Sequence, residues 1–207
     1  MTEIVLVRHG QTEWNKVERI RGRADIALDA TGLAQAEVTG QRVASEFHPV
    51  EVYCSPLQRA LQTARAIASL LGREPQIDAG FVDMDFGAWQ GLSAPEVRQR
   101  WPGEAVAWVK APHTVSFPGG ESLSAVRERS AAALHALIER HQNQTIAVVA
   151  HTVVNRVLLC HVLGIETANY WRIGQETCAL NVFTWRDEVF YIQSLNDTGH
   201  LRPLRED

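Results

Sequence analysis

Apolar residues along this chain follow three patterns. Residues 4–7 read Ile-Val-Leu-Val and residues 146–150 read Ile-Ala-Val-Val-Ala, unbroken runs too short for helices. Strands covered on both faces in a parallel sheet have this pattern, and the β-prone stretch 50–54 predicts a third. A helical period joins Leu33, Ala36, Val43, Ala44 and Phe47, with Thr31 as the expected cap. The same period joins Leu57, Leu61, Ala64, Ile67, Ala68 and Leu71, and helices are also predicted over 123–141 and over 153–163, the latter closed by Gly164. Ser93-Ala94-Pro95-Glu96 has the form of a capping box opening a short helix. From residue 179 the period changes to two. Alternation over 179–185, a polar Arg186-Asp187-Glu188 turn and a second run over 189–195 predict an antiparallel hairpin.

Strands alternating with helices, then a hairpin, predict an α/β fold. The expected architecture is a three-layer αβα sandwich, Rossmann-like, with a mostly parallel central sheet and an antiparallel C-terminal hairpin. Two stretches stand outside the pattern. Residues 16–29 are polar and read as a loop over the sheet edge, and residues 101–120 are expected to be irregular, with Pro102, Pro112 and Pro118 among Trp101, Trp108 and Phe117.

Length and charge narrow the reading. At 207 residues the chain fits one domain over 1–207, with residues 81–122 as a candidate lid. Lys and Arg number 20 against 24 Asp and Glu, a near balance without a nucleic-acid footprint. No apolar run approaches the ~18 residues of a membrane span, and Met1 leads directly into the first strand, so a cytoplasmic location without membrane contact is expected. Cys54, Cys160 and Cys178 are an odd, widely spaced set, which argues against a disulfide framework or zinc site and for small buried apolar residues.

Chemistry gathers where the strands end. The first apolar run stops at Arg8-His9-Gly10 and the run 146–150 stops at His151-Thr152. In open α/β sheets that C-terminal edge is where ligands bind, because loops converge there and helix N-termini offer backbone N–H groups. An arginine beside a histidine suits an oxyanion held by a fork of donors next to a titratable nitrogen. Arg59, in the first turn of the second predicted helix, can converge on the same anion. Glu121 is given no catalytic role, and His113, His135, His141, His161 and His200 are expected to be solvated or satisfied in the core.

Arg8-His9-Gly10-Gln11-Thr12-Glu13-Trp14-Asn15 resembles the signature of the histidine phosphatase superfamily, the phosphoglycerate-mutase-like proteins. Further similar motifs run from Ile4 to Leu201: the segment from Ser55 to Ala64 around Arg59, Phe81-Val82-Asp83-Met84-Asp85-Phe86-Gly87-Ala88-Trp89-Gln90-Gly91, and His151-Thr152. The resemblance implies that His9 is the nucleophile and carries the phosphoryl group, with His151 as second catalytic histidine. Asp83, standing where the family usually has glutamate, is then the general acid, and Asp85 is the fallback. Arg8, Arg59, Asn15 and Thr152 would hold the phosphoryl oxygens. Gln11, Thr12, Arg21 and Gly22 would border the substrate.

Such a site implies neither metal nor cofactor, since arginines supply the charge that magnesium supplies elsewhere. The expected partner is a small phosphorylated metabolite. The stretch from Trp108 to Ser122 and the His151-Thr152-Val153 context resemble the branch that includes metal-independent phosphoserine phosphatases. Phe86 replaces a histidine of that branch, so broad specificity stays equally open. The alternatives are a phosphoglycerate mutase and a non-catalytic phospho-ligand binder, and a homodimer is compatible with all three. Mutases of the family are generally longer in mid-chain, and a binder needs no nucleophile. Two other chemistries fit poorly. Asp83-Met84-Asp85 has the spacing of aspartyl phosphatases but no full apolar strand before it, and Cys54 and Arg59 are one residue too close for a cysteine phosphatase loop.

Overall fold

The computed structural model describes residues 1–204. Strands β1 (Thr2–Arg8), β2 (Glu51–Cys54), β3 (Gln76–Ile77) and β4 (Thr145–Ala150) run parallel. β5 (Leu180–Arg186) and β6 (Val189–Asp197) extend the sheet antiparallel, in the order β3-β2-β4-β1-β5-β6. The helices are α1 (Glu13–Lys16), α2 (Ala30–Glu46), α3 (Gln58–Leu70), α4 (Ala94–Arg100), α5 (Pro102–Lys110), α6 (Leu123–Arg140) and α7 (Thr152–Val162).

The unbroken apolar runs are explained by burial on both faces. Ile4, Leu6, Ile146 and Val148 pack with Leu134 and Leu137 of α6 and with Val154 and Leu158 of α7. Val5, Val7, Val52, Ala147 and Val149 pack on the other face with Val43 of α2 and with Ala60, Ala64 and Ile67 of α3. Each fully buried aliphatic side chain contributes about 1.5–3 kcal/mol of transfer free energy. A polar residue at any of these positions forfeits that on one face. The expected three-layer αβα sandwich with a mostly parallel sheet is the fold observed. The hairpin closes through Asp187 and Glu188, both at positive φ, as a two-residue turn with left-handed central residues requires.

Three expectations need correction. The cap of α2 is Asp29, whose carboxylate accepts from the Gly32 N–H at 2.8 Å, so the helix already includes Thr31. Leu33 is 51% exposed. The buried face of α2 runs instead through Gly32, Ala36, Thr39, Gly40 and Val43, because α2 lies close against α3. A Cβ on Gly40 would strike the Ala66 carbonyl. The stretch 101–120 is largely ordered: Pro102 opens α5, where its missing N–H costs nothing, and Pro112 opens a 3-10 turn. β3 carries no apolar signal because both its residues are exposed.

All three cysteines are buried and unpaired. His141 bonds Tyr53 and Gln144, His135 and His161 bond each other, His200 bonds Thr39, and His113 is exposed. No helix among the described residues is long and apolar enough to cross a membrane.

Candidate active site

β1 and β4 are parallel neighbours in a register that sets Arg8 opposite Ala150. The residue after each strand therefore emerges at one edge, and these residues are His9 and His151, with ring centroids 5.2 Å apart. β2 adjoins β4 on the other side, with Cys54 opposite Val149, so Ser55 joins the same edge.

Both histidines are fully buried, and their hydrogen bonds differ. His9 Nδ1 lies 2.7 Å from the Gly10 carbonyl oxygen. A carbonyl only accepts, so Nδ1 carries the proton and Nε2 keeps its lone pair. That Nε2 is buried and has no partner among the described residues. His151 has both nitrogens engaged: Nδ1 accepts from Arg59 Nε at 3.2 Å, and Nε2 donates to the Ser55 hydroxyl at 2.7 Å. Burial first, and the charge of Arg59 second, hold both imidazoles well below the usual histidine value. Both are neutral at physiological pH.

Arg59 organises the centre of the site. Its side chain is fully buried and donates to the Ala24 carbonyl at 2.7 Å, the Gly22 carbonyl at 2.8 Å and Asp83 Oδ2 at 3.0 Å. Gly22 delivers its carbonyl with φ of +51°, a conformation side chains disfavour, and a Cβ there would crowd the Met84 carbonyl. Asp25 accepts from the Gln58 N–H at 2.7 Å, which fixes the turn from which Arg59 projects.

Asp83 reaches this centre with its shorter arm. Its Oδ2 is also 3.7 Å from His151 Nδ1, and Oδ1 accepts from the Met84 N–H at 2.9 Å. Asp85 is directed elsewhere: Oδ1 accepts from the Gly87 N–H at 2.8 Å and Oδ2 stands 3.7 Å from Arg23. The Asp-x-Asp spacing therefore does not bring two carboxylates onto one ligand. Glu121 pairs with Arg129 at 2.9 Å, and Arg129 donates to the Gly80 and Asp83 carbonyls at 2.8 and 3.3 Å. Glu121 thus braces the backbone of Asp83 from behind.

Arg8 is buried beside this cluster. It donates to the Gln175 carbonyl, while its Nε has no partner among the described residues. Burial and the neighbouring Arg21 lower the guanidinium to about 10, still charged at neutral pH. Gln175 is tied at 3.0 Å to Asn155 and at 2.7 Å to Asn181, a polar network inside the core.

A cavity of about 310 Å³ borders the cluster, lined by Asn15, Arg21, Gly22, Asp83, Thr152 and Arg156 among others. Thr152 opens α7, so its backbone N–H belongs to the positive end of the helix dipole, and its buried hydroxyl has no partner among the described residues. Asn15 presents its side chain to the cavity with Oδ1 committed to the Thr12 N–H and hydroxyl, at 2.9 and 2.8 Å.

Two expected substrate neighbours are placed otherwise. Thr12 is fully buried and caps α1, and the Gln11 side chain bonds Asp29 at 3.1 Å instead of entering the cavity. Short polar residues after a strand serve a cap as readily as a ligand. Sequence reasoning missed Ser55, Arg156, Tyr170 and the Gln175 network. Asn155, a polar residue within the apolar helix 153–163, was the available signal for the network.

Residues 4–198 match the histidine phosphatase superfamily (branch 1), and the chain belongs to that superfamily. Phosphoserine phosphatase 1 of Hydrogenobacter thermophilus is 36% identical over 201 residues, covering 97% of this chain and 95% of that protein. The metal-independent phosphoserine phosphatase of Arabidopsis thaliana is 34% identical, over 97% of this chain and 84% of its own. A variant of Entamoeba histolytica phosphoserine phosphatase, solved in complex with phosphoserine, matches with a TM-score of 0.88 at 28% identity, over 97% of this chain and 100% of that one. The chain is accordingly a phosphoric monoester hydrolase of the histidine phosphatase type.

Proposed function

We propose that this chain hydrolyses small phosphate monoesters in two steps, without a metal, through a phosphoryl group carried on His9 Nε2. The observation that carries the reading is the His9 imidazole itself: neutral, with its proton held on Nδ1 by the Gly10 carbonyl, and with a bare Nε2 amid arginines. A binder of phosphate has no use for a nitrogen lone pair in that position.

In the first step Nε2 attacks phosphorus, the P–N bond forms and the ester P–O bond breaks. Asp83, paired with Arg59 in the free chain, takes the proton of the monoanionic ester as it binds and passes that proton to the departing oxygen. In the second step Asp83 takes a proton from water, the resulting oxygen attacks phosphorus, and the P–N bond breaks to release inorganic phosphate and neutral His9. Charge in the loose transition state spreads over three equatorial oxygens. Arg8, Arg59 and the Thr152 backbone N–H stabilise it there, with Asn15 at the border. These donors are already fixed before substrate arrives, so little reorganisation opposes the chemistry.

The two phosphoserine phosphatase relatives make phosphoserine the first substrate to try, within a panel of phosphoglycerates, sugar phosphates and nucleotides. Phosphate release from an aryl phosphate in excess chelator is the expected result. Activity lost with chelator, or no turnover of any ester, contradicts the proposal. Asp83→Asn is expected to slow alkyl phosphates about 10²–10⁴-fold and aryl phosphates far less, because only poor leaving groups need the proton. Equal slowing of both would remove Asp83 as the acid.

A further inference from the structure

The site holds more positive charge than a phosphate consumes. Arg59 is paired with Asp83, and Arg23 with Asp85 and Glu121. Among the described residues Arg8, Arg21 and Arg156 enter no ion pair, and the buried Nε atoms of Arg8 and Arg21 have no hydrogen-bond partner. The cavity is lined by Arg19, Arg21 and Arg156 against the carboxylates of Glu18 and Asp83, with Arg8 and Arg59 buried beside it. A bound phosphate dianion therefore leaves a positive charge over, and desolvated guanidinium is costly unless an anion meets it.

Arg156 is the arginine best built to receive that second anion. It follows Thr152 by four residues, about one turn of α7, so both side chains share a face, separated along the axis by about 6 Å. Both line the cavity. Its Nε donates to the Ile173 carbonyl at 2.8 Å, and its Cζ stands 4.9 Å from the ring centroids of both Tyr170 and Trp171. With Nε spent on Ile173 and a further hydrogen bond to the Tyr170 side chain, the guanidinium is fixed beside the two rings, and its remaining terminal N–H groups have no carboxylate partner among the described residues.

We propose that Arg156 receives a carboxylate of the leaving group. The preferred substrates are then phosphate esters of short hydroxy acids with the carboxylate on the carbon next to the ester carbon. In such a molecule the phosphoryl group lies at the start of α7 and the carboxylate one turn further along. This deepens, and rests on, the phosphatase reading above.

Matched substrates test it. Phosphoserine and phosphoethanolamine differ only by the carboxylate, and 3-phosphoglycerate and glycerol phosphate differ by a carboxylate in place of a hydroxymethyl group. In the unaltered chain, kcat/KM is expected to favour the carboxylated member of each pair about tenfold or more. In Arg156→Gln that ratio falls toward one, chiefly through KM, whereas Arg156→Lys retains part of it. A purely structural role for Arg156 lowers both members of a pair together and leaves the ratio unchanged, which overturns the proposal. Equal kcat/KM within the pairs for the unaltered chain overturns it as well, and that comparison needs no variant to fold. A chain that turns over neither pair nor an aryl phosphate contradicts the phosphatase reading instead, so the two failures are distinguishable.

Discussion

The ends of β1 and β4 follow one local plan and arrive at different chemistry. Each is a parallel strand without a polar interruption, each stops at a histidine, and the two rings are fully buried 5.2 Å apart. Their hydrogen bonds separate them. At the β1 end the Gly10 carbonyl accepts the hydrogen bond of the Nδ1 proton, and Nε2 has no hydrogen-bond partner among the described residues. At the β4 end Arg59 and Ser55 occupy both nitrogens. A bare lone pair can attack, whereas a ring with both nitrogens engaged can only orient the groups it bonds, here Arg59 and Ser55. The identity of the residue does not decide its role here; its neighbours do.

Substitutions at the two ends break or sharpen that contrast. His9→Ala should lower turnover about 10⁴-fold or more and abolish phosphate incorporation, measured with labelled substrate in rapid-quench experiments. His151→Ala should cost less, about 10²-fold in kcat, because Arg59 loses the acceptor that fixes its Nε, while labelled enzyme still accumulates. If the two variants were equally inactive and equally unlabelled, the division of roles would fail. Ser55→Ala should cost about tenfold, because the proton on His151 Nε2 loses the acceptor that fixes its tautomer.

The smallest effect is on acid stability. Both imidazoles are held well below their usual value of 6.5 in the folded chain, so each binds a proton on unfolding once the pH drops below that value. Stability should therefore decline as pH falls through about 6.5, and the acid limb of kcat/KM should lie below that point. Thermal melts between pH 7 and pH 5 check the first, with a shallower decline expected in His9→Ala. A pH–rate profile checks the second, and an acid limb at or above 6.5 would contradict a neutral, depressed His9.

Much of this was legible in the chain for a physical reason. Double-sided burial leaves an unbroken apolar run, and a charged or titratable residue directly after such a run can only lie at the sheet edge. Arg8, His9 and His151 are read that way, and Arg59 from the helix start that follows β2. Asp83 needed the family motif, because a carboxylate within 81–91 has no periodic frame to place it. Partners were not legible. Ser55-Pro56 reads as a strand stop, although the Ser55 hydroxyl is bonded to His151 from 96 residues away. Arg156 reads as an ordinary helical arginine, since its aromatic neighbours, Tyr170 and Trp171, come from beyond the helix. Three prolines suggested irregular structure in 101–120, yet Pro102 stands where a helix accepts it.

The central claim is that one nitrogen, His9 Nε2, carries the phosphoryl group. It is tested most directly by trapping the enzyme during turnover of an aryl phosphate and locating the adduct by mass spectrometry and phosphorus NMR. The account predicts an acid-labile, alkali-stable phosphoramidate on His9, attached at Nε2. An adduct on Nδ1, on His151, or on a carboxylate or thiol would contradict it.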